Sequence, residues 1–361
     1  STTGQVTVTN AVAITGTAAE VTAALVTDGT KVVVSDAAVT ITGNPTITEL
    51  NNIAAKTTGV VTATLAADSL ANLGALTTAS TDAITITVND ADAAALTASD
   101  LSTLGGKTAG TVTVTNAVAI TGNHDELTAA LVTAGTKVVV SDATVTVNDV
   151  DTTAITAAEL SALGGATTGT VTVTNAVAIT GNHDELTAAL VTAGTKVVVS
   201  DATVTVNDVD TTAITAAELS ALGGATTGTV TVTNAVAITG DHDQVTAALV
   251  TDGTKVVVSD AAVTINDGDG TAITATELSA IGGSTTGTVT VTNAINITGT
   301  ADQAIAAVVT DGTKVAVTDP TITLSDDPDL TELGQLNDAT TGAIKISSQG
   351  KTCLLYTSPS P

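Results

Sequence analysis

The sequence contains no Phe, Trp, Met or Arg, and its one Tyr and one Cys both lie within 353–361 of a 361-residue chain. A globular core ordinarily uses aromatic rings to fill irregular volume. A core restricted to Val, Ala, Leu and Ile, which supply most of the 43% apolar content, suits a narrow and regular interior. A single cysteine rules out a disulfide framework. The lack of Arg leaves nine basic residues against 36 acidic ones, a net charge of −27. That balance excludes nucleic acid, which is held by basic side chains at phosphates, and anionic membrane surfaces. It favours solubility and divalent cations. No apolar run approaches the roughly 20 residues needed to cross a bilayer, so no membrane insertion is expected. No Ser, His and Asp set recurs at cleft-like positions, so no enzyme is expected. "GGKT" at 105–108 is not a phosphate loop, because the first Gly of that motif falls on Leu101.

The ends differ from the rest. The chain opens at Ser1 without Met and reads as an internal fragment of something longer. It closes on "CLLYTSPSP", Cys353 to Pro361, which resembles the translated read-through of a sequencing adapter and is set aside as a scar.

What is present is repetition. Residues 110–181 match 169–240 letter for letter, an offset of 59. A Gly precedes each "VTVT"-like stretch at Gly4, Gly59, Gly110, Gly169, Gly228, Gly287 and Gly342. Such a period marks a repeat architecture. We read 1–352 as one array with repeats at about 4–58, 59–109, 110–168, 169–227, 228–286 and 287–341. Each repeat divides again, giving twelve half-units between Gly4 and Gly342, of which those around 59–109 are the least regular. Val112, Val114, Asn116, Val118 and Ile120 alternate with Thr and Ala, the signature of a strand. After each strand pair comes a capping-box pattern such as "TAAE" (17–20), "NHDE" (123–126) or "DHDQ" (241–244). Leu or Val follows at helical spacing, and Gly, as at Gly135 and Gly164, reads as a helix end.

The expected fold is therefore α/β: a curved, superhelically twisted solenoid of about twelve stacked coils. Each coil is strand, corner, strand and short helix. Parallel strands stack at about 4.8 Å and helices need about 8–10 Å, so the helices belong on the outer side of the bend. Short helices gain their stability from such stacking. The alternative is an all-β parallel solenoid.

Five features are candidates for chemistry. His124, His183 and His242 each follow an N-cap, where a side chain ordinarily points to water. They recur every second coil, roughly 10 Å apart by strand spacing, too far to share a metal. We read them as surface residues of capped helices. The loops "NDVDTT" (148–153 and 207–212), "NDGDGT" (266–271) and "NDADAA" (89–94) are the stronger lead. Asp149 with Asp151, Asp208 with Asp210, and Asp267 with Asp269 have the Asp-x-Asp start of oxygen-ligand calcium loops. Ca2+ is accordingly the cofactor these residues suggest. The same letters also make a hydrated turn, and the calcium-loop spacing fails further on: from Asp267, position six is Ala272 and the Glu falls at eleven. A corner slot alternates Asn116, Asp142, Asn175, Asp201, Asn234, Asp260, Asn293 and Asp319, which keeps Asp from stacking on Asp. Lys137, Lys196, Lys255 and Lys314 form a row with the same period, read as edge protection. Finally, Thr113 and Thr115 recur as Thr172 and Thr174, then Thr231 and Thr233. Such Thr-x-Thr rows resemble those of ice-binding proteins, but Lys137, Val139 and Ser141 in the intervening coils are expected to break them.

This Thr-, Ala- and Val-rich, Lys-poor repetition resembles tracts in giant secreted or cell-surface, adhesin-like proteins of marine bacteria, including picocyanobacteria. The glycine-rich nonapeptide of calcium-binding repeat toxins and adhesins is missing. The resemblance implies an extracellular spacer, an adhesin stalk or a surface-layer role. The expected function is thus a structural spacer or stalk of a large repetitive extracellular protein, stiffened by calcium in one version. Its partners would be further copies of itself or cell-surface glycans. The alternatives are an ice- or carbohydrate-binding face and a duplicated tract selected for length alone.

Overall fold

The computed structural model describes residues 4–29, 32–347 and 353–355. The fold is α/β: short parallel strands in several sheets alternate with short helices in a repeating, solenoid-like arrangement. Twelve helices among the described residues correspond to the twelve half-units. The chain forms two compact units, one of Ser1–Val150, Glu159–Thr174 and Ala193–Val198, the other of Asp151–Ala158, Asn175–Thr192 and Val199–Pro361.

In the first unit, one sheet runs through Ala13–Thr17, Ala38–Thr42, Val61–Thr64, Ala83–Val88, Val112–Val114 and Val138–Val139. In the second, one sheet runs through Ala154–Thr156, Ala178–Gly181, Thr203–Val206, Val230–Val232 and Val256–Val258. A further sheet there runs through Ala213–Thr215, Ala237–Gly240, Ala262–Ile265, Val289–Val291 and Val315–Val317. Alternation fixes the faces. Ile155, Ile179, Val204, Val230 and Val256 stack in register and are each at most 1% exposed. A column of branched aliphatics with identical neighbours needs no aromatic ring to fill it. Cys353–Leu355 pairs with Ile344–Ile346, the one antiparallel pairing among the described strands; the rest of the adapter-like ending lies outside the described residues.

The half-units are not all of one kind. In 228–286, Val230–Val232 and Val256–Val258 belong to one sheet, Ala237–Gly240 and Ala262–Ile265 to the next, and Ala272–Thr274 to a third. The long half-unit therefore carries an extra strand after its acidic loop, and that strand moves the chain onto a new sheet. The strand–corner–strand–helix formula missed it because Ala272–Thr274 is three residues long and ends on the helix N-cap itself.

The caps form as the sequence predicts. Thr17, Asn182, Thr215 and Asp241 accept from the backbone of Glu20, Glu185, Glu218 and Gln244, whose side chains reach back to the cap. The irregular third helix, Leu70–Leu73, is only four residues, with Ser69 as its cap. Gly164 is not a helix terminator: it lies inside Ala157–Gly165, and a Cβ there would overlap the carbonyl of Thr195. Gly135 lies beyond Val132, the actual C-cap. The Gly that opens each repeat also serves close approach. A side chain on Gly228 would collide with the carbonyl of Ala202. Just before it, buried Thr226 donates to that same carbonyl at 2.7 Å and accepts from Gly228 N at 3.0 Å.

Candidate functional site

The acidic loop is where the most polar groups converge, and 207–212 shows how. Asn207 N donates to Gly181 O at 3.0 Å, placing the loop beside the preceding coil. Asp208 then turns its carboxylate onto the helix His183–Leu190. Oδ2 accepts from His183 N at 2.7 Å, and Oδ1 lies 2.7 Å from His183 Nδ1. A carboxylate oxygen only accepts, so Nδ1 carries the proton. The Asp208 side chain is 5% exposed and that of His183 13%. Burial of a carboxylate is costly unless it is bonded. Here it takes two hydrogen bonds and faces the positive end of a helix.

The same loop also grips the following coil. Asn234 Nδ2 donates to Asp208 O at 2.5 Å. Ala235 N donates to Asp210 Oδ1 at 3.1 Å, and Thr211 N donates to Ala235 O at 2.8 Å. To aim that N–H, Thr211 adopts φ +66°, and Thr152 adopts +65° in the preceding copy. A β-branched residue is strained there. The copy at 266–271 places Gly270 at the same point with φ +77°. One loop thus ties three successive coils together.

The arrangement recurs. Asp149 and Asp267 bond His124 and His242 with the same 2.7 Å distances. Asp90 takes Leu70 N and Asp326 takes Ala301 N. Asp151 and Asp269 accept from Ala176 N and Ala294 N. The histidines therefore do not point to water, as their place in the first turn suggests. The next coil lies over the helix N-terminus and turns each ring inward onto a buried Asp. Each Nε2 faces the exposed carboxylate beside it, as in His183 with Asp184 at 3.5 Å. For His242, burial opposes the charged ring, but the hydrogen bond and charge of Asp267, with Asp243 and Glu277 nearby, outweigh it and raise its pKa above the ordinary value.

Within each loop the two aspartates singled out for calcium turn to different coils. Asp149, Asp208 and Asp267 are spent on His and helix N–H groups, Asp151, Asp210 and Asp269 on the next coil. Among the described residues no group of three or more His, Cys, Asp or Glu is arranged to hold a metal ion. The corner asparagines also do more than separate aspartates, since Asn234 and Asn293 reach back to the loop carbonyls of Asp208 and Asp267. The Asp corners differ, Asp201 accepting from the adjacent Ser200 hydroxyl. No family model, no curated protein and no solved structure matches the chain.

Proposed function

We propose that this chain is a spacer segment of a large repetitive protein at the cell surface or outside the cell, whose work is reach and display. The observation that carries this reading is the three-coil clip, renewed every 59 residues at Asp90, Asp149, Asp208 and Asp267, with its backward half kept at Asp326. In the copies at Asp149, Asp208 and Asp267 its polar groups are bonded to neighbouring coils. The grooves beside the coils vary. Those at 140–196 and 199–257 hold about 600 and 670 Å³ and are lined by Gly, Thr, Ser and aliphatic residues, with Lys196 or Lys255 as the one ionisable group. Those two grooves hold no acid–base pair, whereas the groove at 258–314 is lined by Asp311 and Lys314 and that at 70–107 by Asp90, Asp100 and Lys107. A loop that joins its own coil to the one before and the one after suits an array lengthened by adding units.

Two measurements test the reading. Inserting a further copy of residues 169–227 should leave the circular dichroism per residue unchanged. It should lengthen the particle in small-angle scattering by roughly 10 Å per copy, two strand spacings. A copy that makes the particle rounder or insoluble would refute the spacer. Thermal melting with EDTA and then with millimolar calcium separates the two forms of stiffening. The hydrogen-bonded clip predicts an unchanged midpoint, whereas a calcium-stiffened spacer must melt higher by mass action. That gain would disappear on replacing Asp151, Asp210 and Asp269 by Asn.

A further inference from the structure

The third helix, Leu70–Leu73, has four residues where the other described helices have eight or more. Its missing turn leaves a groove of about 360 Å³ against the next helix, Ala98–Gly105, within the first unit. Leu70, Leu96 and Leu104 give the groove an apolar wall, and Asp90, Asp100 and Lys107 give it charge. Lys107 Nζ donates to Gly74 O at 2.8 Å and to Leu76 O at 2.6 Å, so the ammonium is tied to the end of the short helix. Asp100 Oδ2 accepts from the Thr97 hydroxyl at 2.7 Å. Asp90 Oδ2 accepts from Leu70 N at 2.7 Å, and its Oδ1 takes no protein donor among the described residues.

The regular copies show what occupies that oxygen when the helix is complete. Asp208 and Asp267 spend Oδ2 on the same helix N–H and give Oδ1 to the imidazole of His183 or His242. Each ring also lies near enough to the third residue of the next helix, Glu218 or Glu277, for its charge to act there. Asp90 and Asp100 stand two 59-residue periods before Asp208 and Glu218. The two carboxylates that flank an imidazole elsewhere therefore both line the groove, while Leu70 holds the first helical position in place of the histidine. Two acids against one tethered amine favour a cation. Two carboxylates are too few for calcium, which takes six to eight oxygens, and the leucine wall suits a ligand with an apolar body. We propose that this groove binds a small, flat organic cation of the imidazolium kind. Its N–H donates to Asp90 Oδ1, as the histidine rings do in the sister copies, and its carbon frame lies against Leu96 and Leu104. The ligand completes from outside the pair that the chain completes for itself elsewhere. One coil of the array thus carries a small-molecule site, a role beyond that of a spacer.

The test titrates the whole chain with 4-methylimidazole at about pH 6, where such a ring is largely protonated, and follows binding by saturation-transfer NMR. The Kd should be roughly millimolar, as suits so few atoms. 4-Methylthiazole has the same shape without the N–H or the charge, and should bind about tenfold more weakly or worse. Asp90→Asn still accepts from Leu70 N but loses the charge, and should weaken 4-methylimidazole about tenfold or more. Leu70→His returns the ring to the place it holds in the regular copies, and should abolish probe binding and raise the melting midpoint. Asp36→Asn removes a charge at the exposed corner beside Ser35 and should leave binding unchanged. Should Leu70→His not fold, Asp90→Asn and the thiazole comparison carry the test. No binding by the folded chain, equal binding of the thiazole, or an Asp90→Asn variant that binds as well as the parent would each overturn the proposal.

Discussion

The first repeat and those after it share a frame but not a clip. Thr57 donates to Ala37 O in the first as Thr226 does to Ala202 O later. Thr17 and Thr46 cap helices there as Thr215 and Thr274 do in the later copies. Where the copies within 59–286 insert an acidic loop and an extra strand, the first has Gly43, at φ +81°, then Asn44 and Pro45 leading straight to the cap Thr46. Aliphatic columns, helix caps and Thr–Gly clamps are therefore enough to build a coil. The acidic loop is an addition that binds coils to one another and moves the chain from sheet to sheet.

If that division is right, damage to the frame should be severe in both regions. The largest effect is expected from Gly228→Ala and Gly59→Ala, because each new Cβ meets a backbone carbonyl, of Ala202 or Ala37, and backbone cannot swing aside. Each should cost about 3 kcal/mol, read as a lowered urea midpoint. Gly194→Ala, with open space around it, should be close to neutral. A mild Gly59→Ala beside a severe Gly228→Ala would show that the close approach of Gly59 to Ala37 of the first repeat is not part of the same frame.

Damage to the clip should separate the regions. Asp208→Ala strands a helix N–H and a largely buried imidazole, a loss of about 2–3 kcal/mol. Asp36→Ala, at an exposed corner of the first repeat where Ser35 donates to it, should change stability by less than about 0.5 kcal/mol. Combining Asp208→Ala with His183→Ala should cost less than the sum of the two, since the residues act on each other. Strict additivity would mean that the 2.7 Å pair is incidental.

This contrast also marks what could be read in advance. The capping boxes were legible because cap and acid are three residues apart and need no tertiary context. The repeat frame was legible because period and alternation lie on the page. The clip was not, because Asp208 and His183 are 25 residues apart and meet only when coils stack. A helix N-terminus read alone faces water, and only the following coil turns the histidine inward. One signal was available. Asp90, Asp149, Asp208, Asp267 and Asp326 keep the 59-residue period, whereas the partner two positions on lapses to Pro328 in the last copy. The persistent residue is the one that caps a neighbouring helix.

A smaller effect should be common to both regions. The hydroxyls of Thr22, Thr128, Thr187 and Thr246 are buried without a hydrogen-bond partner. Valine has the same shape and removes the orphaned group, and the helix propensities are similar. Thr187→Val should therefore raise stability by about 1 kcal/mol, and Thr22→Val should match it in the first repeat. Destabilisation by either would reveal a polar neighbour or a water bound at that hydroxyl.

The smallest effect is one of pH, and its two limbs divide along the same line. Glu218 and Glu277 are held below the ordinary 4.5 by hydrogen bonds from the side chain and then the backbone of Thr215 and Thr274. In the first repeat Glu20 and Glu49 are lowered by the backbone and then the side chain of Thr17 and Thr46. A lowered carboxyl adds stability above its ordinary pKa and forfeits it as pH falls through the folded value, so both regions should weaken in acid. His242 behaves in the opposite sense. Its pKa is raised from 6.5, so its contribution is complete below that value and is lost as pH climbs through the higher folded one. The urea midpoint should thus be highest between about pH 4.5 and 6.5 and decline towards pH 8. His242→Gln, which keeps a hydrogen-bond donor without a titrating ring, should flatten the alkaline decline and leave the acid limb in place. An identical decline in that variant would remove the Asp267–His242 pair as its source, and with it the reason to expect an alkaline limb from the clip rather than from the frame.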